Sequence, residues 1–176
     1  MTDQNSIQVQ PARDPQRDAM RAAAKRIDRV NDWLHVGGAL SPDEYQRFQE
    51  AGITHVVDLQ EETPPDGERL EELGITRRHV PVPDRGPPSI EQLVEVRSWL
   101  GNRDKGVAVY VHCKGGFGRA ATMAVGLLVK DGVALDDAVE QVRKVRPEMR
   151  LNSEQLEWLR TVERDFVGRR SPDQSP

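Results

Sequence analysis

Cysteine occurs once in the 176 residues, at Cys113. A lone thiol excludes an internal disulfide and a thiolate metal cage. Aromatic residues are scarce at 5%, and no apolar run approaches the ~18 residues that a membrane helix needs. The first 20 residues are polar and hold no hydrophobic signal segment, so the sequence predicts a cytoplasmic protein without stable membrane association. An excess of positive charge is missing too. The 25 basic and 29 acidic residues leave a formal net charge of −4, which argues against a partner held through nucleic acid phosphates. Leu, Ile, Val and Phe supply 41 of the 176 residues. That lies slightly above the roughly 20% below which chains tend to disorder, so a folded core with polar ends is expected.

Those ends are residues 1–29 and 168–176. Met1 to Pro15 reads as a flexible lead, and the Ala- and Arg-rich stretch 16–29 as a weakly apolar helix with a solvated charged face. Gly168 to Pro176 reads as a frayed tail. Between them, residues 30–167 form the expected domain. Short strands at Trp33–Val36, Ile53–Leu59, Ile75–Val80 and Val107–His112 alternate with capped helices after Ser41, at Glu68–Leu73 and from Ser89 to Leu100. Three more helices follow, near 119–131, 135–146 and 153–166. Ser41 and Ser89 each have Glu or Gln three residues later, the pattern of a capping box. Val107–His112 is almost entirely apolar, as in a strand covered on both faces. The fold class is α/β, a small mostly parallel sheet flanked by helices.

The chemistry concentrates at the end of the last strand, in His112-Cys113-Lys114-Gly115-Gly116-Phe117-Gly118-Arg119. Ligands of open α/β sheets bind beyond the carboxyl ends of strands. Three glycines in five residues let the chain curl until successive N–H groups point inward, an anion-sized nest backed by the positive end of the next helix. The same donors favour the thiolate of Cys113, and the planar fork of Arg119 fits two phosphate oxygens. A buried cysteine in a glycine turn is the plainer alternative, but it leaves the glycines, the arginine and the strand-to-helix placement unrelated. A thiolate facing phosphate implies displacement at phosphorus, which needs an acid for the leaving oxygen. Asp84, in the stiff Pro-rich loop Val82–Pro88, is the candidate, with Asp58 as the second choice. His35, His55 and His79 are scattered singly and read as structural, and no metal site is apparent.

The spacing His112-Cys113-x5-Arg119 resembles the signature of the cysteine-dependent protein tyrosine phosphatases. The surrounding segments "DWLHVGGALSPDEYQRFQEAGITHVVDL", "PVPDRGPPSIEQL" and "VRPEMRLNSEQLEWL" resemble the dual-specificity branch over residues 30–167. The resemblance implies Cys113 as nucleophile and Arg119 as phosphate clamp. It implies Asp84 as acid and then base, and His112 as the residue that orients the loop and favours the thiolate. The backbone from Lys114 through Gly115, Gly116, Phe117 and Gly118 is implied to cradle the phosphate, with Asn152 and Gln155 as a polar pair near the loop. It implies no cofactor and no metal. One departure stands out. The family usually carries Ser or Thr directly after the arginine, whereas here Ala120 and Ala121 precede Thr122. The expected protein is a monomer acting on a phosphorylated protein or a small phosphoester. An inositol or lipid phosphate substrate and a catalytically weak phospho-binding module remain as alternatives.

Overall fold

A computed structural model describes residues 14–62, 67–101 and 106–168. The lead before Asp14 and the tail beyond Gly168 lie outside the described residues. Helix α1 (Pro15–Ala24) is started by Asp14, whose carboxylate accepts the Gln16 N–H at 3.0 Å. Strand β1 (Ile27–Arg29) follows, and β2 (Leu34–Gly38) pairs with it antiparallel. The sheet therefore begins three residues before the boundary at residue 30. Its first strand is too short and too charged to show the alternation by which strands are read from sequence.

A 3-10 turn (Pro42–Glu44) and helix α2 (Gln46–Glu50) come next. Their capping box forms, with the Glu44 carboxylate accepting the Ser41 N–H at 3.0 Å and Lys25 Nζ at 2.5 Å. Strand β3 (His55–Gln60), helix α3 (Glu68–Glu72), strand β4 (Thr76–Val82), helix α4 (Ile90–Trp99) and strand β5 (Val109–Cys113) complete the sheet. Helices α5 (Arg119–Lys130), α6 (Leu135–Val145) and α7 (Ser153–Phe166) close the chain. The strand order is β1-β2-β5-β3-β4, and all pairings except β1–β2 are parallel.

The central place of β5 explains its composition. Every residue of it is buried. On one face, Val109 and Val111 join the main core with residues of α4, α5, α6 and α7. On the other, Tyr110 packs with Phe48 of α2 and Leu70 of α3. Residues 119–129 of α5 are all buried, so the helix that opens at Arg119 runs through the core, not over the surface. A strand and a helix held this firmly give the loop between them fixed ends.

Candidate active site

The loop Lys114–Gly118 spans from β5 to α5. Cys113, 4% exposed, forms the floor of a cleft of about 560 Å³. Its walls come from Asp84, Arg85, Lys114, Gly115, Phe117, Gly118, Arg119, Arg150, Asn152 and Gln155, among others. The Gly116 N–H donates to Cys113 Sγ at 3.3 Å, so one arm of the expected nest is turned on the sulfur. Gly116 has φ +75°, and a Cβ there would strike the Gly37 carbonyl at 2.2 Å. Only glycine satisfies both conditions.

Behind the loop, Arg146 is fully buried. Its Nη2 donates to the Gly115 carbonyl and its Nε to the Gly116 carbonyl, both at 2.7 Å, and its guanidinium lies 4.8 Å from the Phe117 ring centre. Sequence reading passed over this residue. Arg143, Lys144 and Arg146 lie together at the end of α6, and nothing local marks the one that turns inward.

Arg119 sits at the first position of α5. Its Nη1 and Nη2 form a two-pronged pair with Glu62, both bonds at 2.8 Å, and Nη1 also donates to the Val82 carbonyl at 3.0 Å. The pair holds the Glu62 carboxyl down at about 2. Glu62 was missed as well. It follows β3, which neighbours β5 in parallel and so delivers its last residues to the edge where Cys113 sits. The strand order places both Glu61 and Glu62 there, and nothing in the sequence chooses between them.

Asp84 reaches the same cleft. Its carboxylate, 77% exposed, lies 3.3 Å from Arg119 Nη2. The turn carrying it is closed by the Gly86 N–H on the Pro83 carbonyl at 2.9 Å. The left-handed residue in that turn is Arg85, at φ +64°, so the conformational demand falls on the arginine and not on Gly86. Asn152 and Gln155 hold the turn from α7. Asn152 Nδ2 donates to the Arg85 carbonyl at 2.7 Å, and Gln155 Nε2 to the Gly86 carbonyl at 3.2 Å. Both also form the capping box that starts α7. The expected polar pair thus braces the Asp84 turn as well as lining the cleft.

His112 stands apart from the cleft. It stacks on Tyr110 at 5.7 Å, and burial lowers its pKa below the usual histidine value. Its Nδ1 has no hydrogen-bond partner and lies 3.8 Å from Asp58. Burial thus works against the positive charge that the implied role of His112 beside the sulfur would use. Asp58 is buried and paired with Arg77 at 2.6 Å, a poor place for an acid that must meet solvent-borne substrate. Among the described residues, no group of three His, Cys, Asp or Glu side chains is placed to hold a metal ion, and no helix is long and apolar enough to cross a membrane.

Comparison with known proteins matches residues 39–170 to a family described as "Swiss Army Knife protein, DSP-PTPase phosphatase domain". Dual specificity protein phosphatase 12 of Mus musculus is 32% identical over 133 residues, 73% of this chain and 38% of that protein. Protein tyrosine phosphatase type IVA 3 of Bos taurus is 36% identical over 111 residues, 61% of this chain and 63% of that protein. The chain therefore spans less than two thirds of the length of these relatives. Among solved structures, Tk-PTP in its active form superposes with a TM-score of 0.71 at 31% identity, covering 79% of this chain and 97% of that one.

Proposed function

Because the chain belongs to the dual-specificity branch of the cysteine-dependent protein tyrosine phosphatases, we propose that it hydrolyses phosphomonoesters, phosphotyrosine and phosphoserine or phosphothreonine in proteins first among them. The observation that carries this reading is the meeting in one cleft of two segments distant in sequence, the Cys113–Arg119 loop and the Asp84 turn. Cys113 lies on its floor, Arg119 at its wall, and the Asp84 carboxylate is 3.3 Å from that arginine.

In the first step the Cys113 thiolate attacks phosphorus. A sulfur–phosphorus bond forms as the ester oxygen leaves, and that oxygen takes the proton of Asp84. The loop N–H groups and Arg119 bear the negative charge that spreads over the other phosphate oxygens. In the second step the Asp84 carboxylate takes a proton from water, whose oxygen attacks phosphorus. The sulfur–phosphorus bond breaks, releasing phosphate and the thiolate. Glu62 keeps the Arg119 guanidinium level at the cleft wall, and His112 orients the loop from behind. No cofactor takes part.

Turnover of a chromogenic aryl phosphate in the presence of a chelator tests the reading. Cys113→Ser should remove activity, since a hydroxyl is far less ionised than a thiol; more than about a hundredth of wild-type activity in that variant would exclude the covalent route. Asp84→Asn should slow an alkyl phosphate by about 10²–10⁴-fold and an activated aryl phosphate far less, because only the poor leaving group depends on the acid. A panel of phosphopeptides and inositol phosphates assigns the substrate. Preference for the inositol phosphates would replace the protein phosphatase reading.

A further inference from the structure

We propose that Asp28, on the edge strand β1, is a positioning residue for the chemistry of Cys113. The inference rests on the phosphatase reading of the cleft. Asp28 Oδ2 accepts Arg146 Nη1 at 2.7 Å. The same carboxylate accepts Arg26 Nε at 3.0 Å, and Arg26 in turn forms a two-pronged pair with Glu148, both bonds at 2.8 Å. Asp28 supplies the carboxylate that faces the Arg146 guanidinium, whose remaining bonds go to the Gly115 and Gly116 carbonyls.

The consequence follows from peptide geometry. In a trans peptide the C=O of one residue and the N–H of the next point in opposite directions. Arg146 pulls the Gly115 carbonyl backward, which turns the Gly116 N–H forward, and that N–H is the one found on Cys113 Sγ. Its bond to the Gly116 carbonyl likewise turns the Phe117 N–H toward the cleft side. The direction of both donors thus depends on the angle of one guanidinium, and Asp28 sets that angle. A fully buried arginine without a carboxylate is strongly unfavourable. With Asp28 neutralised, Arg146 therefore gains by swinging away from the loop. An edge strand 118 residues distant in sequence from Arg146 would then govern how well the nest fits a phosphate.

The test compares wild type, Asp28→Asn and the double variant Asp28→Asn/Arg146→Met, with an aryl phosphate as substrate and vanadate as the transition-state mimic. Asp28→Asn should lower kcat by about ten- to a hundredfold, in line with the cost of ångström-scale misplacement, and weaken vanadate inhibition by a similar factor. KM should change far less. A merely structural role would lower Tm and leave kcat of the folded protein and the vanadate constant unchanged. The double variant leaves neither charge of this pair unmatched, so it should be the more stable of the two variants. It should show the same loss of vanadate affinity. Wild-type kcat and vanadate inhibition in either folded variant would overturn the role of Asp28. Absence of turnover in the wild type would overturn the phosphatase reading instead, so the two failures are distinct.

Discussion

The alanine after Arg119 has a kinetic consequence. Phosphocysteine hydrolysis requires the thiolate to depart, and a hydroxyl at position 120 would hydrogen-bond the departing sulfur. Thr122 does not substitute for it: its Oγ1 donates to the Gly118 carbonyl at 3.0 Å, one helical turn back, and the residue is fully buried. The second step should accordingly be the slow one. Stopped-flow traces should show a burst of aryl alcohol before the steady rate, the mark of an accumulating covalent intermediate. Ala120→Ser should shrink the burst and raise the steady rate about tenfold, if a hydrogen bond to a charged group contributes ~1.5 kcal/mol. Thr122→Val should alter neither phase strongly. A wild type without a burst, together with a large loss in Thr122→Val, would return the role to Thr122.

At the scale of elements, the Asp84 turn is a strained piece held from outside. Arg85 takes a left-handed backbone that costs a non-glycine residue about 1–2 kcal/mol, and Asn152, the cap residue before α7, fastens that residue's carbonyl. Asn152→Asp separates fastening from capping. The carboxylate can still accept the Gln155 N–H, as Asn152 Oδ1 does at 2.9 Å, but meets the Arg85 carbonyl with an acceptor where Nδ2 had donated. Turnover of an alkyl phosphate should fall about tenfold or more, given the worth of general-acid assistance, while thermal stability changes little. An unchanged alkyl phosphate rate would show that the turn does not depend on this tie, and equal loss on alkyl and aryl phosphates would show that the tie acts other than through Asp84. These elements also divide what sequence could and could not reveal. The Cys113–Arg119 loop was legible because its chemistry is contiguous and its glycines declare the bend. Glu62 and Arg146 were not, because each acts on partners 57 or about 30 residues away and sits in a charged stretch that resembles ordinary surface. Strand β1 was hidden for the same reason. Its residues Ile27-Asp28-Arg29 read as the end of a solvated helix, and only pairing with β2 makes them a strand.

For the molecule as a whole, three histidines set the response to mild acid. Burial lowers the pKa of His35, His55 and His112, with Arg29 adding to the effect at His35. They hold protons less readily in the folded protein than at the ordinary value near 6.5 of the unfolded chain, so below that pH the unfolded state binds more protons. Stability should be full above about pH 6.5 and fall as pH drops toward the folded-state values. Each fully buried group weighs up to about 1.4 kcal/mol per pH unit, and the partly exposed His55 weighs less. The carboxyls of Glu44, Glu62 and Glu148 are held down at about 2 by Lys25, Arg119 and Arg26 respectively. Their stabilisation is present above the ordinary carboxyl range of ~4.3 and is lost only as pH falls from there toward 2. Between pH 7 and 5, then, these three histidines make stability fall with pH. Tm should drop by several degrees over that interval, at about 2–4 °C per kcal/mol. A flat Tm from pH 7 to 5 would mean that these imidazoles already accept protons in the folded state.

The solitary thiol at the bottom of the cleft also fixes how this chain meets an oxidant. Peroxide converts an ionised cysteine to a sulfenic acid, which a neighbouring cysteine would ordinarily trap as a reversible disulfide. No such neighbour exists among the 176 residues. The oxidised sulfur is left three courses: capture by a thiol small enough to enter through the substrate's own door, condensation with a backbone nitrogen to a reversible sulfenamide with loss of water, or passage to the sulfinic state from which there is ordinarily no return. Phosphate in the cleft would bar that door to oxidant and rescuer alike.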